Sequence, residues 1–224
     1  MKLYFNIYNH QERDFFSMLK SMPGFLKRKA KVLEILMTSW RGNRNIRAPY
    51  VCVDDELRRV LIVGKEEKKI ISFGFEYNII LAQKDVNDSE NYVADIKYKC
   101  GNVTLSMLSG IQSIISYLER GSMYDPYWEQ SLIDDPEEEN IDVAAMRLFD
   151  YMRSCEAGYL RYDDDPEREQ ALIHPRYHID VNYTPTISYK LGLARGVGIG
   201  DMAQLLAEDK KCAYVQIEHN MFDE

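Results

Sequence analysis

Residues 50–98 read YVCVDDELRRVLIVGKEEKKIISFGFEYNIILAQKDVNDSENYVADIKY, and this stretch decides the fold class. Tyr50–Val53, Val60–Val63, Ile70–Leu81 and Tyr92–Tyr98 are rich in β-branched and aromatic residues, which fit a pleated, half-buried surface. Gly64-Lys65-Glu66-Glu67-Lys68 has the composition of a charged hairpin turn, and Asp85–Asn91 that of a polar loop. Consecutive strands therefore follow one another without helices between them. That order predicts an α+β fold with a central, mostly antiparallel sheet and flanking helices, not a doubly wound parallel sheet.

Outward from the meander, helical spacing takes over. Glu12–Trp40 reads as two helices divided at Pro23-Gly24. In the second, Phe25, Leu26, Val32, Leu33, Leu36 and Met37 form an apolar stripe. Downstream, a helix is expected from Thr104 to Glu119, with Leu105, Leu108, Ile111, Ile115 and Leu118 on its core face and Gly121 ending it. Residues 121–140 read as an acidic, solvated connector carrying Tyr124, Tyr127 and Trp128; a partner-binding loop is the alternative. A helix from Asp142 to Cys155 follows, capped by Asn140 or Asp142. The last third predicts strands at Gly158–Asp163, Tyr177–Tyr183, Ile187–Leu193 and Ala213–Glu218, with a helix over Asp201–Glu208. One domain over 1–224 is expected, with a basic helical segment at 1–48 and a sub-domain boundary near 121–141.

The chain has 224 residues, of which 46% are apolar, enough for a core that needs no disulfide or metal to hold it. Cys52, Cys100, Cys155 and Cys212 are widely spaced, with no Cys-x-x-Cys pair. The N-terminal residues lack the apolar core of a signal peptide, and no apolar run is long enough to span a membrane. A reducing cytoplasm is the expected location.

Net charge is −8, but residues 1–75 hold 15 Lys/Arg against 8 Asp/Glu, whereas residues 76–224 hold 13 against 28. Lys27, Arg28, Lys29 and Lys31 cluster near the start of the second helix, where the positive end of the helix dipole disfavours cations. With Arg41, Arg44 and Arg47 in the following loop they form a candidate phosphate-facing, nucleic-acid-binding set. The alternative is two oppositely charged halves that attract each other within the fold or a homodimer.

The densest chemistry lies in His174-Pro175-Arg176-Tyr177-His178-Ile179-Asp180-Val181-Asn182-Tyr183. Read as a strand, it places His174, Arg176, His178, Asp180 and Asn182 on one face and Tyr177, Ile179, Val181 and Tyr183 on the other. Upstream, Arg161 and Asp163 share a face of their own strand. If the two strands pair, Arg161, Asp163, His178 and Asp180 converge, with His174 beside them, as a candidate catalytic group. There His178 is placed as a general base in a cleft, oriented by a carboxylate. Alternatively His and Asp hold a divalent cation, or Arg161 and the aspartates are a structural ion pair around a sheet histidine. No cofactor is otherwise indicated. Neither a nucleophile elbow nor a P-loop is present. The glycines at 192, 196, 198 and 200 read as a strand-to-helix loop with Asp201 as N-cap; a phosphate cradle is the alternative.

Arg161-x-Asp163 followed by His174-Pro-x-x-His178, a strand and a closing helix resembles uncharacterised bacterial domains associated with mobile-element and antiviral-defence neighbourhoods. The resemblance covers residues 158–206. It implies a prokaryotic or phage setting and marks Arg161, Asp163, His174 and His178 as defining positions; it implies no reaction. Three functions are expected to compete. The first is an accessory or binding subunit of a defence or toxin–antitoxin-like system, with a protein partner or as a homo-oligomer. Its 16 tyrosines suit an interface. The others are a small hydrolase or nuclease using the His/Asp/Arg cleft, and a nucleic-acid-binding module using the basic N-terminal third.

Overall fold

The computed structural model describes residues 1–17, 19, 21–38, 46–85, 88–120, 127–133, 141–156, 158–171, 173–184 and 187–207. Four strands open the chain: β1 (Lys2–Asn6), β2 (Tyr50–Asp54), β3 (Arg59–Val63) and β4 (Lys69–Gly74). They pair in sequence order, each antiparallel to the next. The sheet then resumes with β8 (Tyr159–Asp164), β9 (Tyr177–Thr184) and β10 (Ile187–Gly192), and β8 pairs directly with β4. The result is one seven-stranded antiparallel sheet in the order β1-β2-β3-β4-β8-β9-β10. Between β4 and β8 the chain leaves to form a second, three-stranded sheet. It consists of β5 (Asn78–Asp85), β6 (Asp88–Tyr98) and β7 (Gly101–Asn102). The α+β class expected from the meander is the observed one.

Helices cover one face of the large sheet. They are α1 (Glu12–Phe16), α2 (Met22–Thr38), α3 (Leu105–Glu119), α4 (Trp128–Ile133) and α5 (Val143–Ser154). Pro23 and Gly24 sit in the first turn of α2, not between two helices. Proline is tolerated there because its missing N–H would have no intrahelical partner. The apolar stripe of α2 packs on the sheet: Phe25 meets Phe73 edge-on with ring centroids 5.5 Å apart and stacks on Tyr159 at 5.7 Å. Leu3, Phe5, Val51, Val53, Val60, Ile62 and Ile71 complete this main core with the buried residues of α3 and α5. The opposite face forms a smaller core of Cys52, Leu61, Val63, Ile70, Tyr162 and Ile179. It is covered by Leu193, Val197 and α6 (Ile199–Leu206), whose Met202 is buried.

Several expectations change. Ile70–Leu81 is not one strand: β4 ends at Gly74 and β5 begins at Asn78, in the other sheet. The polar stretch Asp85–Asn91 is largely strand, because β5 and β6 form a long hairpin there. Leu105 leaves the core face of α3 and is half exposed, whereas Met107, Gly110 and Ile114 are buried. Thr104 and Asp142 are the caps of α3 and α5, accepting from the amides of Met107 and Ala145. In α6 Gly198 is the N-cap, and Asp201 accepts from its amide three residues on. The strand expected at Ala213–Glu218 lies outside the described residues, as do Arg41, Arg44 and Tyr124. Among the described residues no helix is long and apolar enough to cross a membrane.

Candidate functional site

The register of β8 and β9 sets Arg161 opposite Asp180 and Asp163 opposite His178. Alternation puts all four side chains on the same face of the sheet, while Tyr162, Ile179, Tyr177 and Val181 point into the smaller core. Arg161 donates from Nε to Oδ2 of Asp163 and from one NH2 group to Oδ2 of Asp180, both at 2.5 Å. Flanking strands complete the ring. Lys69 of β4 lies 3.4 Å from Oδ1 of Asp163, and Lys190 of β10 donates to Oδ1 of Asp180 at 2.6 Å. Burial works against the charge on Arg161, but the two aspartates outweigh it and hold its pKa above the ordinary value. Asp163 is buried, whereas Asp164 and Asp165 pair with Arg176 and Arg168.

His178 does not line an open cleft. It has no exposed surface. Its Nδ1 lies 2.7 Å from the carbonyl of Pro175, which can only accept, so Nδ1 carries the proton. Nε2 then points between the aspartates, 3.7 Å from Asp163 and 4.0 Å from Asp180, with no hydrogen-bond partner. His174 does not reach the carboxylates; its ring packs edge-on against His178, with centroids 4.6 Å apart. Gly192, opposite His178 in the register, lets this cover form: a Cβ there would come within 3.0 Å of the Pro175 ring. Among the described residues Asp163, His178 and Asp180 can each offer one ligand atom to a common point, all within 4.8 Å of one another. Arg176 takes no part; its guanidinium pairs with Asp164 at 2.9 Å and lies over the ring of Tyr177.

The basic residues of α2 divide. Lys29 is buried, donates to the carbonyl of Glu156 and sits over the Phe25 ring, facing away from any phosphate surface. Lys31 pairs with Glu34 at 3.0 Å. Arg47 is exposed in the segment before β2, where its amide donates to Asn6. Lys27 and Arg28, however, line a recess of about 440 Å³ with Arg13, Lys31, Asp14 and Gln112. Arg28 is 2% exposed and, among the described residues, donates to the carbonyls of Asp14 and Ser17. Burial, with Arg161 nearby adding repulsion, lowers its pKa to about 10, so the guanidinium is still charged at neutral pH. Among the described residues no carboxylate is ion-paired with Arg13, Lys27 or Arg28. A second recess, of about 400 Å³, lies on the other side of α1 and shares Arg13 and Ser17 with the first; Lys65 and Lys69 line it.

Sequence reasoning missed three participants. Lys190 was legible, since Ser188 and Lys190 alternate with Tyr189 along β10. Lys69 and Arg13 were not, because their roles depend on which strand lies beside β8 and on how α1 folds back. Comparison with protein-family models, curated proteins and solved structures finds no match for this chain.

Proposed function

We propose that this protein is a binding component that holds the phosphate backbone of a nucleic acid in the basic recess between α1 and α2. In the prokaryotic or phage setting that its resemblance implies, it would serve as an accessory subunit of a defence or toxin–antitoxin-like system. The observation that carries the reading is the trio Arg13, Lys27 and Arg28, which share one recess without a carboxylate partner among the described residues. The Arg28 guanidinium is buried and, although it feels the charge of Asp14, is not ion-paired with it, so an anion entering the recess would stabilise it. The start of α2 lies at the same place, with Ser21, which accepts from the amide of Gly24, in the wall.

A hydrolase or nuclease is the second reading, favoured by the convergence of Arg161, Asp163, His178 and Asp180. Its difficulty is access, since a general base must reach the proton it removes and His178 is enclosed. One assay separates the two. Labelled single-stranded RNA and DNA are incubated with the protein at low salt, followed by anisotropy and then by gel. The binding reading expects a rise in anisotropy, intact oligonucleotide on the gel, and loss of the rise in Lys27→Glu and Arg13→Glu. Both side chains are exposed, so these variants should fold. Cleavage that disappears in His178→Ala while Lys27→Glu is unaffected would overturn it in favour of the hydrolase.

A further inference from the structure

We propose that Asp163, His178 and Asp180 form a binding site for a divalent transition-metal ion, with one carboxylate oxygen from each aspartate and Nε2 of His178 as its protein ligands. This rests on the sheet network alone and is independent of the basic recess. The pointer is the orphaned nitrogen. His178 is fully buried, its Nδ1 proton is committed to the Pro175 carbonyl, and Nε2 therefore aims a lone pair between two carboxylates. Arg161 bridges the same two Oδ2 atoms but leaves Nε2 itself without a partner. At 3.7 and 4.0 Å neither oxygen is within hydrogen-bond reach of Nε2. A metal ion would engage all three atoms. With bonds of about 2.0–2.2 Å it spans gaps of up to about 4.2 Å between its ligands, the scale of the separations here.

The surroundings suit an ion as well. Arg161 donates to the same Oδ2 atoms that face Nε2, and Lys69 and Lys190 reach the Oδ1 atoms, so both carboxylates are held in place around His178. The Pro175 carbonyl fixes the ring and the tautomer, which is the usual support behind a ligating histidine. His174 and Pro175 close the outer side. An imidazole ligand selects zinc, cobalt or nickel over magnesium or calcium. Three cations around two carboxylates leave a positive surplus, so a hydroxide or an oxyanion is the preferred fourth ligand.

The full-length protein, stripped with chelator and dialysed, is titrated with Co2+ and followed by visible absorption and by metal content after gel filtration. The expected result is one Co2+ per chain, with d–d bands, displaced by one equivalent of Zn2+ and accompanied by a higher melting temperature that chelator reverses. His178→Ala should lose the bands and the stoichiometric ion. Asp163→Asn and Asp180→Asn, close to isosteric, should each weaken Co2+ binding at least tenfold and carry the test if His178→Ala does not fold. No bound Co2+ in the wild-type protein, or equal binding in both Asn variants, overturns the proposal.

Discussion

Arg161 bridges two carboxylates that are almost completely buried, so its loss would strand both. Breaking a buried ion pair by removing one partner costs about 3–5 kcal/mol, whereas an exposed pair contributes about 0–1 kcal/mol. Arg161→Ala should therefore lower the unfolding free energy by about 3 kcal/mol in urea. Lys190→Ala, at a more exposed position, should lower it by less than about 1 kcal/mol. Equal losses would contradict this ranking. Cys52 gives a pH test on the other face of the sheet. Burial pushes its thiol up to about 11 from 9.0. The folded state holds that proton longer than the unfolded chain, so the contribution is complete below about pH 9 and lost as pH rises through about 11. Cys52→Ala should shrink the fall in melting temperature over that window; an unchanged fall would place its cause elsewhere, for example in Tyr50, whose phenol is pushed up to about 12. At this scale alternation made the row His178, Asp180, Asn182 legible as one face of a strand. It could not show that His178 is enclosed, because the cover comes from Pro175 and His174 folding over a glycine on a third strand.

The packing of α3 against α5 depends on one missing side chain. A Cβ at Gly110 would lie 2.7 Å from the Cβ of Ala145, closer than two carbons can approach. Gly110→Ala would gain about 1 kcal/mol of helix propensity but incur an overpacking cost of about 1–3 kcal/mol. The net expectation is a lower melting temperature, and Ala145→Gly added to Gly110→Ala should restore part of it. A stabilised single variant would mean that the helices separate without cost. Elements with strong periodicity, α3, α5 and β9, were legible within a residue or two. The run from Ile70 to Leu81 was not, because Phe75 and Tyr77, both buried and with ring centroids 5.2 Å apart, continue the apolar pattern through the passage from one sheet to the other. Nor was β1, a five-residue edge strand whose register with β2 is set across more than forty residues of intervening helix and loop.

Over the whole molecule, the excursion from β5 to α5 separates β4 from β8 in sequence while leaving them neighbours in the sheet. That adjacency assembles the charged network from both halves of the chain: Lys69 from the basic third, Arg161 and the aspartates from the acidic remainder. The charge asymmetry of the sequence is thus partly satisfied internally, at Lys69 with Asp163, at Arg59 with Glu156 and at Lys29 with the Glu156 carbonyl. Arg13, Lys27 and Arg28, which have no ion-paired carboxylate among the described residues, gather in the recess beside α1. The most direct test of the binding reading is the salt dependence of oligonucleotide affinity, compared between the wild-type protein and the Arg13→Gln, Lys27→Gln double variant. Each neutralised phosphate on a single strand contributes about −0.7 to the slope of log K against log salt. The recess reading predicts a steep wild-type slope that flattens by about 1.4 in the double variant, with lower affinity at every salt concentration. A wild-type protein that binds no oligonucleotide at low salt, or a double variant with an unchanged slope, would contradict it.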